Sequence, residues 1–137
     1  MSVPLLDTHI WVWWVSGDKR LKTGDQKWLD ALPADERPYI CAISLWEVAT
    51  LVNLGRLELD LSLEDWFQHA AHPRSVRILP LTPGVACELA RLPDSLHRDP
   101  ADRIIVATSR VLDLPLLTYD KLLRGSRLAA LADSRAS

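Results

Sequence analysis

The chain alternates short, almost wholly apolar runs with longer segments in which apolar residues recur every third or fourth position. Residues 3–6, 39–43, 76–80 and 115–118 are runs of the first kind. Continuous apolar runs of that length suit strands buried on both faces. The intervening segments read as helices. Residues 10–15 are ambiguous between helix and strand, but a chain leaving a parallel strand needs a crossover, so a short helix is expected. A polar helix carrying Leu21, Trp28, Leu29 and Leu32 follows. Leu45, Val48, Ala49 and Val52 then keep the i, i+3, i+4, i+7 spacing of one helical face, and Gly55 ends that helix. Ser62 starts another, with Trp66, Phe67 and Ala70 inward. Thr82-Pro83 opens a helix to about Leu92, and Asp99-Pro100 opens one to about Leu112. Asp120 begins a last short one. Residues 122–131 look helical, and 133–137 look frayed. Strands alternating with helices imply a parallel sheet covered on both faces.

In such sheets, sites form beyond the carboxyl ends of the strands. That end is where the acids fall. Asp7 closes the first strand, Glu47 lies in the first turn after the second, and Asp120 follows the fourth. The helix starting at Asp99 joins the fourth strand through a few residues only. It therefore runs antiparallel to that strand and brings Asp99 and Asp102 to the same edge. Singly, each acid reads as a helix start: Asp99 and Asp120 as caps, Asp7-Thr8 likewise, and Ser44-Leu45-Trp46-Glu47 as a capping box. Together they repel. At about 4–6 Å each pair costs on the order of a few kcal/mol at intermediate dielectric. A cation would neutralise such a cluster, and all-oxygen ligands suit Mg²⁺ or Mn²⁺ rather than zinc.

Composition narrows the setting. Sixteen basic and eighteen acidic residues leave a net charge of −2, so no general polyanion binder is announced, although a local basic rim is compatible with it. Cys41 and Cys87 are far apart and read as buried thiols of a reducing compartment. With no secretory signal or membrane span evident, a cytoplasmic protein is expected. Length and composition point to one domain, 1–137. Of six tryptophans, Trp28, Trp46 and Trp66 are expected in the core. Trp11, Trp13 and Trp14 cannot all face inward from one short helix, so some should line a groove or interface, more readily against a protein partner than against bases.

Leu5-Leu6-Asp7-Thr8-His9, Ser44-Leu45-Trp46-Glu47, His97-Arg98-Asp99-Pro100-Ala101-Asp102-Arg103 and Leu117-Thr118-Tyr119-Asp120 resemble, in order, the four acidic motifs of the PIN domain. The likeness is to VapC-type toxins of bacterial type II toxin–antitoxin pairs and spans about residues 3–124. Residues 125–137 form an atypical tail. The resemblance implies a three-layer α/β/α fold around a short parallel sheet of four strands, with a fifth edge strand left open. It implies an endoribonuclease dependent on one or two Mg²⁺ or Mn²⁺ ions, hydrolysing phosphodiester bonds with metal-activated water and leaving 5′-phosphate and 3′-hydroxyl ends. Asp7, Glu47 and Asp102 would be the core metal-site acids, Asp120 would complete the catalytic quartet, Asp99 would be accessory, and Thr118 would support them. Arg98, Arg103, Lys121 and Arg124 are candidates for the RNA backbone. An antitoxin protein and a second copy in a homodimer are the implied partners.

Other classes fit less well. A non-catalytic receiver-like module also gathers acids and Mg²⁺ at strand ends, but needs a phospho-accepting aspartate at the end of the third strand, where Pro80-Leu81-Thr82 stands. An aspartyl phosphatase wants Asp-x-Asp after the first strand, where His9 takes the second position. A PIN-like domain that only binds partners is the remaining alternative, and the intact acids argue against it.

Overall fold

The computed structural model describes residues 3–96 and 99–136. Its centre is a parallel sheet of very short strands. β1 (Leu5–Leu6) pairs with β2 (Tyr39–Cys41) on one side and β4 (Leu116–Leu117) on the other, and β2 pairs with β3 (Arg77–Leu79). The order is β3-β2-β1-β4. Successive side chains on a strand face opposite sides of a sheet, and the core divides accordingly. Leu6, Ile40 and Leu117 belong to one buried cluster, while Leu5, Cys41 and Leu116 belong to the other. Each apolar pair along a strand thus supplies one residue to each layer.

The first cluster is roofed by α1 (Thr8–Ser16), α2 (Thr23–Asp30) and α4 (Leu63–Ala70), through Ile10, Trp11, Leu29 and Trp66. Trp11 is fully buried and its indole N–H donates to the Ala70 carbonyl at 3.0 Å, so α1 is bolted to the end of α4. The second cluster is roofed by α5 (Pro83–Arg91), α6 (Pro100–Leu112) and α7 (Lys121–Ser126), through Val85, Ile105, Val106 and Leu123. Between the two layers α3 (Ala42–Asn53) contacts both α1 and α6. The α/β/α layering expected from the alternation is thereby present.

Several local expectations change. Helix α3 starts immediately after β2, at Ala42, so Ser44 sits inside its first turn and is not its cap. The N-cap is Cys41, which makes no side-chain capping bond. Trp46 is 53% exposed instead of buried, because the helix turns it away from both clusters. Trp28 is partly buried against the first cluster and Trp66 fully within it. Cys41 is buried but Cys87 is exposed. The segment after Asp120 is helical only to Ser126. Arg127 then takes a left-handed conformation, φ 60°, that terminates α7. Beyond it, the Leu116 N–H donates to the Ala130 carbonyl and the Ala132 N–H donates to the Leu116 carbonyl, both at 2.8 Å. Leu131 so forms a single parallel bridge at the place of a fifth strand. Nor is the end simply frayed: Ser134–Ala136 form a 3₁₀ turn beside α2, with Gly24 close to the Ser134 hydroxyl.

Ile105 lies fully buried beneath the sheet, while Leu81 is 56% exposed. Ile105→Ala should therefore destabilise the fold by about 2–5 kcal/mol. Leu81→Ser should change it by no more than about 0.5 kcal/mol, both measured by urea unfolding.

Candidate active site

At the carboxyl edge of the sheet three helices, α1, α6 and α7, start on an acid. Asp7 caps α1, with Oδ1 accepting the Thr8 N–H at 2.8 Å. Asp99 caps α6, with Oδ1 accepting the N–H groups of Ala101 at 2.9 Å and Asp102 at 3.2 Å. Asp120 caps α7, with Oδ1 accepting from Leu122 and Leu123. The capping roles and the convergence are compatible: backbone N–H groups hold the carboxylates where the topology brings them together. Asp7, Glu47, Asp99, Asp102 and Asp120 all line one cleft of about 540 Å³, along with His9, Trp13 and Tyr119.

A layer of hydroxyls lies under the acids. The Thr118 hydroxyl donates to Asp7 Oδ2 at 2.7 Å and accepts the Asp120 N–H at 3.1 Å, linking the end of β4 to the end of β1. Thr8 and Ser44, both buried, share a hydroxyl hydrogen bond of 2.8 Å. Ser44 is thus a tie between α1 and α3, a role its capping-box spacing concealed.

One set of carboxylate oxygens is closer than the rest. Glu47, Asp99 and Asp102 each bring an oxygen within 4.8 Å of the others. Glu47 Oε1 is buried and has no hydrogen-bond partner, so one oxygen of this carboxylate is left unsatisfied. Asp99, expected as accessory, belongs to this tight set. Asp7 does not. It lies deeper, 5% exposed, with both oxygens already accepting hydrogen bonds.

The electrostatics follow from this crowding. Burial pushes the Asp102 carboxyl up to about 8, and the charges of Asp7, Asp99, Glu47 and Asp120 add to the rise. Burial likewise raises Asp7, against the opposing hydrogen bonds from Thr118 and Thr8. Glu47 is raised by burial too, opposed by the Thr8 hydroxyl and reinforced by Asp99 and Asp7. Oxygen donors only, one of them orphaned, in a cluster that resists ionisation, fit a hard divalent cation.

The expected basic rim is less uniform. Arg103 spends its guanidinium on the carbonyls of Leu92, Pro93 and Leu96, at 3.2–3.3 Å, and so ties the preceding loop to α6. Arg124 donates to the Thr118 carbonyl at 3.1 Å. Lys121 is exposed at the start of α7. His97 and Arg98 lie outside the described residues. Trp13 is the member of the Trp11, Trp13 and Trp14 set that lines this groove, and Tyr119, which the sequence reading did not single out, was hinted at only by its place between Thr118 and Asp120.

The sheet order, the acids at its carboxyl edge and the hydroxyl tie beneath them are the features by which the chain can be classed, and the PIN domain model matches residues 5–125. The chain belongs to the PIN domain family. Ribonuclease VapC22 of Mycobacterium tuberculosis is 36% identical over 127 residues, covering 93% of this chain and 94% of that protein. Three solved structures are similar in fold. A toxin–antitoxin complex from Klebsiella pneumoniae aligns with a TM-score of 0.65 at 21% identity, covering 96% of this chain and 97% of that one. VapBC2 from Rickettsia felis, bound to a DNA fragment from their promoter, aligns with a TM-score of 0.70 at 14% identity, over 95% and 97%. FitAcB from Neisseria gonorrhoeae gives 0.66 at 21% identity, over 97% and 99%.

A carboxyl held near 8 in the fold and near its ordinary 3.8 when unfolded binds more protons in the native state between those values. Native stability therefore falls as pH rises from about 4 to about 8. In chelator, thermal unfolding across that range should give a falling midpoint, and Asp102→Asn should flatten the slope and raise the midpoint at pH 8. An equal slope in parent and variant would show that Asp102 is not the group responsible.

Proposed function

We propose that this protein is a divalent-metal-dependent endoribonuclease and the toxin half of a toxin–antitoxin pair. The observation that carries the reading is the approach of carboxylate oxygens of Glu47, Asp99 and Asp102 to within 4.8 Å of one another, with one Glu47 oxygen buried and unpartnered. The name of the 36% identical relative supports the same activity.

Glu47, Asp99 and Asp102 are the residues that would hold Mg²⁺ or Mn²⁺, with Asp7 and Asp120 completing the negative field around it. The ion would supply an activated water at neutral pH and offset charge on the phosphate under attack. The chain's own work is positioning. Thr8 and Thr118 fix both oxygens of Asp7, and Thr118 in turn holds the Asp120 backbone, so the deep acid and the rim acid cannot shift independently. Lys121 and Arg124, the basic residues nearest Asp120 in the chain, are assigned to the RNA backbone. Arg103 is assigned to the loop it braces. A cytoplasmic, single-domain protein of 1–137 is the matching setting. Among the described residues no helix is long and apolar enough to cross a membrane.

The partner reading, an antitoxin and a second copy of the chain, draws support from exposed apolar side chains. Trp46, on the helix that carries Glu47, is 53% exposed, and Leu54, the residue that caps the far end of that helix, is 57% exposed. A protein seated there would reach the rim of the acidic cleft. The toxin–antitoxin complexes among the structural neighbours are in keeping with this.

Purified protein should cleave single-stranded RNA with Mg²⁺ or Mn²⁺ and stop in chelator. Asp102→Asn and Glu47→Gln should reduce cleavage to background while circular dichroism is retained. Thr118→Val, which removes the bond orienting Asp7, should lower activity or metal affinity by about 10–100-fold. Full cleavage by Asp102→Asn, or undiminished cleavage in chelator, overturns the metal-dependent reading.

A further inference from the structure

His9 and Trp13 line two spaces at once. One is the acidic cleft. The other is an adjoining chamber of about 460 Å³ whose walls include Arg20, Leu51 and Arg56. The partition between them is aromatic. Trp13 lies 5.9 Å from the His9 ring and 5.9 Å from the Tyr119 ring, tilted 51° and 41°. The Arg20 guanidinium sits 5.1 Å from the centre of the Trp13 ring. Unlike Trp11, one residue-pair earlier on α1, Trp13 is only partly buried.

Indole faces and guanidinium planes both accept a stacked nucleobase. Arg20 is paired with Asp18 at 2.7 Å, but the arginine side chain is 67% exposed. The pair uses Nε and Nη2 on the two Asp18 oxygens, which leaves Nη1 of the guanidinium for a phosphate. Arg56 is exposed in the same chamber. A phosphodiester at the carboxylates places the next base and the next phosphate one nucleotide away, where this chamber offers an aromatic face and two arginines beside one glutamate, Glu58.

We infer that this chamber takes the nucleotide flanking the scissile phosphate, its base stacked on Trp13 and His9 and its phosphate held by Arg20 and Arg56. The inference rests on the ribonuclease reading above and makes Trp13 a residue that sets which nucleotide lies beside the cut.

The test uses the full chain and short single-stranded RNAs that differ only next to the cleavage position. Trp13→Leu should raise KM about ten-fold, the scale of one lost base stack, and flatten the preference at one flanking position, with kcat within about two-fold. Trp13→Phe should restore the preference. Arg56→Gln, on the surface, should raise KM and reduce the salt dependence of binding by about one phosphate contact. The Mn²⁺-induced rise in Tm should match the parent in every variant, since the acids are untouched. Oligonucleotide affinity in chelator gives a second readout that does not need turnover. Absence of cleavage by the parent, with tight RNA binding that Trp13→Leu and Arg56→Gln weaken, would overturn the nuclease reading and keep the subsite. Unchanged KM and unchanged RNA affinity in folded Trp13→Leu would overturn the subsite. Should Trp13→Leu fail to fold, the same null result for Arg56→Gln would overturn it.

Discussion

Five carboxylates that repel one another meet at one end of this molecule, and three of them are held there by bonds they cannot easily give up. Asp7, Asp99 and Asp120 each accept the N–H groups that open a helix. Unfastening any of them would leave helical donors unsatisfied as well as a charge displaced. The repulsion therefore cannot relax by letting side chains swing outward. Burial, reinforced by this repulsion, leaves Asp102 reluctant to ionise, and burial raises Asp7 and Glu47 as well. A site under that tension is ready for a cation and costs stability without one.

The sheet makes this convergence possible with very little chain. Strands of two or three residues suffice because each residue is buried on one of two opposite faces, and helices cover both. Thr118 transmits the arrangement from strand to site. It is the first residue beyond β4, fully buried, and its hydroxyl touches the carboxylate that ends β1 and the backbone of the acid that starts α7. The position of the site is accordingly set by the alignment of β1 with β4, and not by flexible loops.

Much of this could be read from the sequence, because apolar runs, helical spacing and capping residues are local signals. The edge on which the acids meet followed from topology alone, as did the antiparallel course of α6. What escaped were features decided by neighbours distant in the chain. Ser44 had the spacing of a capping box, yet β2 passes straight into α3 and the hydroxyl goes to Thr8, thirty-six positions away in sequence. Trp46 looked like core by its chemistry, and the phase of α3 exposes it. No pattern in the chain could tell that Thr118 would occupy the second oxygen of Asp7. The tail had helical composition, and a left-handed Arg127 ended it early.

That tail changes the character of the sheet's borders. β4 would otherwise present unpaired peptide groups along its outer side, and the Leu116 amide and carbonyl are both taken up by residues 130–132. The opposite border, β3, is three residues long, is followed by Pro80, and carries Arg77 laid over the Tyr39 ring at 3.9 Å. Short length, a charged side chain and a proline all discourage strand addition. One border is thus sealed by the chain's own terminus and the other is blunted. A form shortened before Ala130 would reopen the first, directly behind Thr118, and invite sheet-to-sheet growth at the very strand that anchors the acids.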